Sequence, residues 1–268
     1  MDALSKLSVD AAALSDHLGS HTVFEIGGWG ISQYTIWMVI CMILVILVVL
    51  VSSNRLSMIP GGNKFVGLVE YGYDFIRKDI AESVIGHGFK KHIPFLATLF
   101  FFILLSNFVG LIPGCKTPTG TISVTWVLSL FSFCYFIFWG IRAHGGLGYL
   151  KSLAPSGLPA FIVPVIWLIE LISTIMRALT LAVRLYGNMF AGHMVLGIFS
   201  LATSIFIGVA IDGVLAGAIG DLAFGGIGVL WFVILLAMYA LELLVAFLQA
   251  YIFTILSAVY ISLATSDH

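Results

Sequence analysis

Residues 164–209 read PVIWLIELISTIMRALTLAVRLYGNMFAGHMVLGIFSLATSIFIGV. The run is apolar apart from Glu170, Arg177, Arg184, His193 and a few uncharged polar residues. A membrane helix needs about 20 apolar residues to cross a hydrocarbon layer about 30 Å thick. At 1.5 Å per residue, this run would reach about 68 Å as a single helix. It is therefore two ordinary spans joined by a turn, or one long helix lying steeply tilted. Gly187-Asn188 is where a turn would fit, but the reading favours continuity. A second long run, 227–264, is interrupted by Glu242 and Gln249. It has no Gly, Pro or Asn between Trp231 and Ala264, so one continuous tilted helix of about 57 Å is expected there.

The rest of the chain agrees with a membrane setting. Of its 268 residues, 60% are hydrophobic and 9% are charged, and the mean hydropathy is +1.12. Soluble domains carry about 25% charged residues. So few charges could not cover a water-facing surface, which excludes a soluble enzyme, a nucleic-acid binder and a disordered chain. The fold class expected is an all-α membrane protein. Residues 1–30 read as an exposed tail without a cleavable signal. Residues 31–53 form a first span, and 93–142 a transmembrane hairpin whose turn is CKTPTG (115–120). Residues 63–87 form an amphipathic helix on the membrane surface or packed on the protein. The remaining segments are a loop at 143–163, the long helices 164–209 and 227–264, and a Gly-rich loop at 210–226. Cys41, Cys115 and Cys134 lack CxxC spacing and read as small core residues.

Basic residues orient the chain. Arg55, Lys64, Arg77, Lys78, Lys90, Lys91, Arg142 and Lys151 fall in loops on one side, and only Lys6 and Lys116 on the other. The positive-inside rule then places the N-terminus and the 210–226 loop outside, with the surface helix, the 143–163 loop and the C-terminus inside.

Charges within membrane segments are expensive and usually functional. Glu170, Arg177 and Arg184 are spaced by seven, nearly two whole helical turns, so they form one stripe. Thr180 and Asn188 flank Arg184 on that face. A guanidinium stays protonated at physiological pH, so Arg184 can serve as a fixed charge but not as a proton-carrying base. The bland alternative is an ion pair within the chain, with Glu170 or Glu242. His193 lies about 180° away from the stripe, and Glu242 shares a face with Gln249. A His and a Glu buried on adjacent helices can form a proton relay. No phosphate-binding loop, zinc-type cluster or nucleophile elbow occurs, so no cofactor and no metal are expected.

LAVRLYGNMFAGH (181–193), ELLVAFLQAYIFTILSAVYIS (242–262) and FFFILLSNFVGLIPG with the following TPT (100–114, 117–119) resemble subunit a of the F-type ATP synthase. The resemblance covers roughly residues 60–264. It implies one N-terminal transmembrane helix, a surface helix, a hairpin, and two long tilted helices that complete a four-helix stator bundle curving along a rotor ring. The function implied is proton translocation through two offset half-channels in an energy-transducing inner membrane, bacterial or mitochondrial. The chain itself would be non-catalytic. Implied partners are a ring of rotor c subunits, peripheral-stalk b-type subunits, other ATP synthase membrane subunits and lipid, but no nucleic acid. By motif position, Arg184 is the essential arginine facing the rotor carboxylates, and Asn188 and Gln249 line that contact. His193 and Glu242 serve the half-channel open to the outside, and Glu170 the inner one. Arg177, Asp212 and Asp221 are weaker candidates. The rival readings are a secondary ion or solute antiporter, for which no inverted repeat is visible, and a membrane scaffold, which leaves the charge stripe unexplained.

Overall fold

The computed structural model describes residues 22–26, 29–54, 64–112, 114–146, 148–149, 161–215 and 222–265. The chain is an all-α membrane protein apart from a short hairpin near its N-terminus. Strands β1 (Thr22–Ile26) and β2 (Trp29–Ser32) pair antiparallel, with Glu25 opposite Gly30 and Ile26 opposite Trp29. The sequence reading had only a tail here. The overlooked signal was Gly27-Gly28 between two short runs of strand-forming residues.

Helix α1 (Gln33–Asn54) follows directly. Its buried residues Tyr34, Cys41, Val45 and Ser52 form one seam, and the rest of its surface is exposed aliphatic. Such a helix is dressed for lipid on most sides. Helix α2 runs as an α-helix over Lys64–Phe75, widens into a π-helical turn at Ile76–Glu82, and closes with Ser83–Ile85. The wide turn directs Ile76, Ile80 and Ala81 together into the core. Phe65 and Leu68, on the α-helical part before it, are exposed.

Helices α3 (Ile93–Gly110) and α4 (Ile122–His144) form the hairpin, joined through a 3₁₀ turn at Pro118–Gly120. Helix α5 spans Val163–Leu215 and helix α6 Leu222–Thr265, each unbroken. Gly187-Asn188 is helical, because its backbone hydrogen bonds continue within an apolar environment that offers no competing acceptor. At 53 and 44 residues, these helices reach about 80 and 66 Å. Both extend further toward the 210–226 segment than expected. Apolarity lapses there before helical hydrogen bonding does. In all, five helices are long and apolar enough to cross a membrane among the described residues.

Helices α3, α4, α5 and α6 share one core with the π turn of α2. Ile76, Ile80, Leu96, Ile103, Leu185, Phe253 and Ile261 are its large, fully enclosed members. Each fully buried aliphatic or aromatic side chain contributes roughly 1.5–3 kcal/mol where water is the reference. Between α5 and α6 the packing is antiparallel, with a register marked by four contacts. From the loop end these are Ile207 against Gly228, Phe206 against Trp231, Gly192 against Glu242, and Arg177 against Tyr260.

Candidate functional site

This register sorts the membrane-level charges into three levels. Toward the N-terminus of α5, Arg177 Nη2 donates to Glu170 Oε1 at 2.6 Å, and its guanidinium carbon lies 5.8 Å from the Tyr260 ring centre. Thr174 donates its hydroxyl to the Glu170 carbonyl at 2.8 Å. The stripe geometry brings Glu170 within reach of the nearest arginine, and that arginine takes it.

Two turns further on, Arg184 is exposed. Among the described residues it makes no hydrogen bond and no ion pair. The acids considered as its partners are placed elsewhere: Glu170 is bound to Arg177, and Glu242 packs on Gly192. Asn188, one turn on, is half-buried, and Gln249 is buried on α6 at about the level of Arg184. The neighbours of Arg184 on its own face are small. Thr180 and Ala191 are exposed, and a Cβ added at Gly187 would meet nothing within 4 Å.

At the third level, Glu242 is only 5% exposed, and its Oε1 finds no hydrogen-bond donor. It lies so close to α5 that a Cβ on Gly192 would collide with that oxygen. Only glycine leaves room for the carboxyl. His193, the next residue, turns the other way. Its Nδ1 faces the Met189 carbonyl oxygen at 2.9 Å and its Nε2 the Gly110 carbonyl oxygen of α3 at 3.0 Å. A neutral ring has one N–H for these two acceptors, and a protonated ring has two. No hydrogen bond joins His193 to Glu242. They approach one turn of α5 from opposite sides.

Beside His193 lies a buried polar network that sequence reasoning did not single out. Thr119 Oγ1 donates to Asn107 Oδ1 at 2.7 Å, and Asn107 Nδ2 donates to the Ala246 carbonyl at 3.2 Å. Thr117 Oγ1 lies 2.9 Å from that of Thr119 and 3.0 Å from the Ser106 carbonyl. It ties the α3–α4 turn to α6 four residues from Glu242. Its signal was present as polar residues at the end of an apolar span (SNF) and in TPT. Lower in the bundle, Ser132 and Ser257 bond across α4 and α6 at 2.9 Å.

Asp212 falls in the last turns of α5 as far as its backbone goes, with its side chain outside the description; Asp221 lies outside the described residues altogether. Among the described residues, no group of three or more His, Cys, Asp or Glu converges as a metal site.

The arrangement is thus an unpartnered cation on an exposed apolar surface, with polar groups buried behind it. The profile of the ATP synthase A chain family matches residues 35–262. The chain is 35% identical over 256 residues to ATP synthase subunit a of a Nocardioides species, covering 93% of this chain and 88% of that protein. It is 41% identical over 213 residues to ATP synthase subunit a of Brucella canis, covering 80% and 79%. The chain belongs to the ATP synthase A chain family. As a member it is a non-catalytic, multi-pass subunit of the rotary ATP synthase in an energy-transducing membrane, and its partners lie within that complex. Membership sets aside the antiporter reading. The matched range encloses Glu170 through Gln249 and leaves the β1–β2 hairpin outside.

Proposed function

We propose that this chain is the proton-translocating stator subunit, with Arg184 as the fixed charge past which rotor carboxylates move. The observation that carries the proposal is that Arg184 is exposed and unpartnered, while Arg177 on the same stripe is held by Glu170. A cation left open on an apolar surface costs free energy unless a partner supplies the opposite charge. A ring of c subunits, each bringing one carboxyl group, would do so in turn. The small side chains around Arg184 let a helix approach closely.

The physics of the cycle follows. A rotor carboxyl facing lipid is stable only when neutral. Opposite Arg184 it can carry charge, so it gives up its proton there. The fixed charge also keeps protons from passing directly between the half-channels. His193 and Glu242 line the half-channel from the outside, with Asp212 and Asp221 at its mouth, and Asn188 and Gln249 line the rotor contact beside Arg184. Glu170 lines the inner half-channel, held by Arg177. The N-terminus lies outside and the C-terminus inside, and peripheral-stalk b-type subunits hold the chain against rotation. Each proton contributes about 2.3 kcal/mol per 100 mV of membrane potential.

The test is Arg184→Ala in the assembled complex, read as ATP-driven acidification of inverted vesicles. Loss of pumping with the complex intact is expected. Coupled pumping at the wild-type rate would overturn the proposal.

A further inference from the structure

A cleft between α1, α2 and α3 takes no part in the proton path. Its volume is about 530 Å³, within the roughly 300–1,000 Å³ of ligand sites. One side of it is apolar, formed by Val45 and Val49 of α1, Val66 of α2 and Phe101 of α3. The other side carries Glu70, Asp74 and Arg77 of α2, which follow one another along one flank of that helix. Asp74 is occupied, accepting from Lys78 Nζ at 2.9 Å. Glu70 and Arg77 are exposed, and among the described residues neither forms an ion pair. The wall also holds Ser52, 9% exposed, whose Oγ has no hydrogen-bond partner.

The position of the cleft narrows its occupant. It lies where α1 ends and α3 begins, one end of the apolar run of α3, which the basic turn holding Lys90 and Lys91 precedes in the chain. The lipid-facing surface of α1 runs on from it. An occupant must therefore have an apolar tail and a polar head. The head meets a cation, Arg77, and an anion, Glu70, neither of them in an ion pair among the described residues. Asp74 is held by Lys78 and is close enough to Arg77 to feel its charge. A purely anionic headgroup would satisfy Arg77 and be repelled by Glu70. A headgroup with a phosphate and a primary ammonium satisfies both through charge-assisted hydrogen bonds.

We propose that this cleft binds an aminophospholipid, phosphatidylethanolamine in chemical class. One acyl chain lies along Val45, Val49 and Phe101, the phosphate on Arg77 and the ammonium on Glu70. Such a lipid would act as a wedge holding α1 and the surface helix against α3. The inference is independent of what Arg184 does.

The test uses the whole complex in nanodiscs with phosphatidylethanolamine carrying a photoreactive acyl chain, and peptide mapping of the adducts. Labelling is expected at Val45–Ser52 and Val66–Arg77. Unlabelled phosphatidylethanolamine should compete at least about fivefold better than phosphatidylglycerol, a preference of about 1 kcal/mol. Glu70→Gln should erase that preference, and Arg77→Ala should lower labelling by either lipid. Val49→Trp, which fills the apolar side, should remove the label while leaving proton pumping intact. The proposal falls if adducts spread evenly over Ile43 and Leu47 and are indifferent to Val49→Trp. It falls equally if phosphatidylglycerol competes as well, or if residues 55–63 or a helix of another subunit cross-link into the cleft in place of lipid.

Discussion

Around Arg177 the chain closes on itself, with a carboxylate at 2.6 Å, a tyrosine ring beside the guanidinium, and α4 and α6 packed close by. Around Arg184, two turns along the same helix, it stays open, with small residues as neighbours and no acid of its own. The two side chains are identical and share a stripe, so residue type and periodicity cannot separate them. What separates them is the supply of acids. The chain provides one carboxylate on this face, and the arginine nearest to it takes it. The other is left to whatever docks from outside. A self-satisfied ion pair supports structure; an unsatisfied one invites a partner.

The most direct way to break this comparison is to remove each arginine in turn. Arg184→Ala should bring ATP-driven proton pumping to background, because no other group in the stripe offers a free cation. Arg177→Ala should leave pumping within about threefold and cost the assembled complex no more than about 1 kcal/mol, since the pair it breaks is partly exposed. Fluorescence-quench assays on inverted vesicles, normalised to complex content, report both. Equal losses in the two variants would end the distinction drawn here.

A second contrast lies between two glycines of the same helix. Gly187 faces open space, whereas a Cβ at Gly192 would collide with the Glu242 carboxyl. The end of a glutamate side chain can swing aside, so Gly192→Ala should fold but displace the carboxyl. Pumping should slow by about tenfold, roughly 1.4 kcal/mol on the limiting barrier. Gly187→Ala keeps the helix and adds one methyl toward the partner surface, so its effect should be smaller. A rate measured against complex yield distinguishes displacement from misassembly. Wild-type pumping in Gly192→Ala would mean that the carboxyl's position is immaterial.

Much of this organisation was legible before any coordinates. The apolar runs gave the number of spanning helices, since nothing but a helix satisfies its own backbone in lipid. The seven-residue spacing put Glu170, Arg177 and Arg184 on one face. Residue type admits Glu170 as a partner of Arg184, but the helical rise separates that pair by fourteen residues, about 21 Å, against about 10.5 Å for Arg177, so only Arg177 is within its reach. The π turn in α2 was invisible to a periodicity fixed at 3.6. The Asn107–Thr119–Thr117 network escaped because single polar residues at the end of a span read as boundary markers. Only the return of the 117–119 turn beneath α6 reveals them as buried partners.

That network offers a smaller test. Asn107→Ala removes two buried hydrogen bonds, from Thr119 and to the Ala246 carbonyl, a cost of about 1–3 kcal/mol. It should appear as a lower temperature for release of this subunit from the complex. Thr119→Val removes the bonds to Asn107 and Thr117 but leaves that from Asn107 to Ala246, and should cost about 1–2 kcal/mol. If neither variant shifts the release temperature, the network carries no structural burden.

The smallest effect is silent at neutral pH. His92, at the start of α3, is 1% exposed, with its Nδ1 3.1 Å from the Tyr135 hydroxyl and the edge of its ring packed against Trp139. Burial first, and the neighbouring Lys91 charge second, lower its pKa from 6.5 to about 4. The folded chain therefore binds fewer protons at this residue than the unfolded chain between those two values. Stability must then rise with pH across that window and fall as acid is added. One unit below 6.5 the penalty is about 1.4 kcal/mol, and above 7 it vanishes. Trp139 fluorescence should report loosening of the α3–α4 packing as pH falls from 7 toward 5. His92→Asn, which cannot titrate, should flatten that response without changing behaviour at pH 7.5. An acid response of equal size in both proteins would assign it to other groups. It would also leave the buried histidine as a packing residue, in the same self-contained class as Arg177 and unlike Arg184.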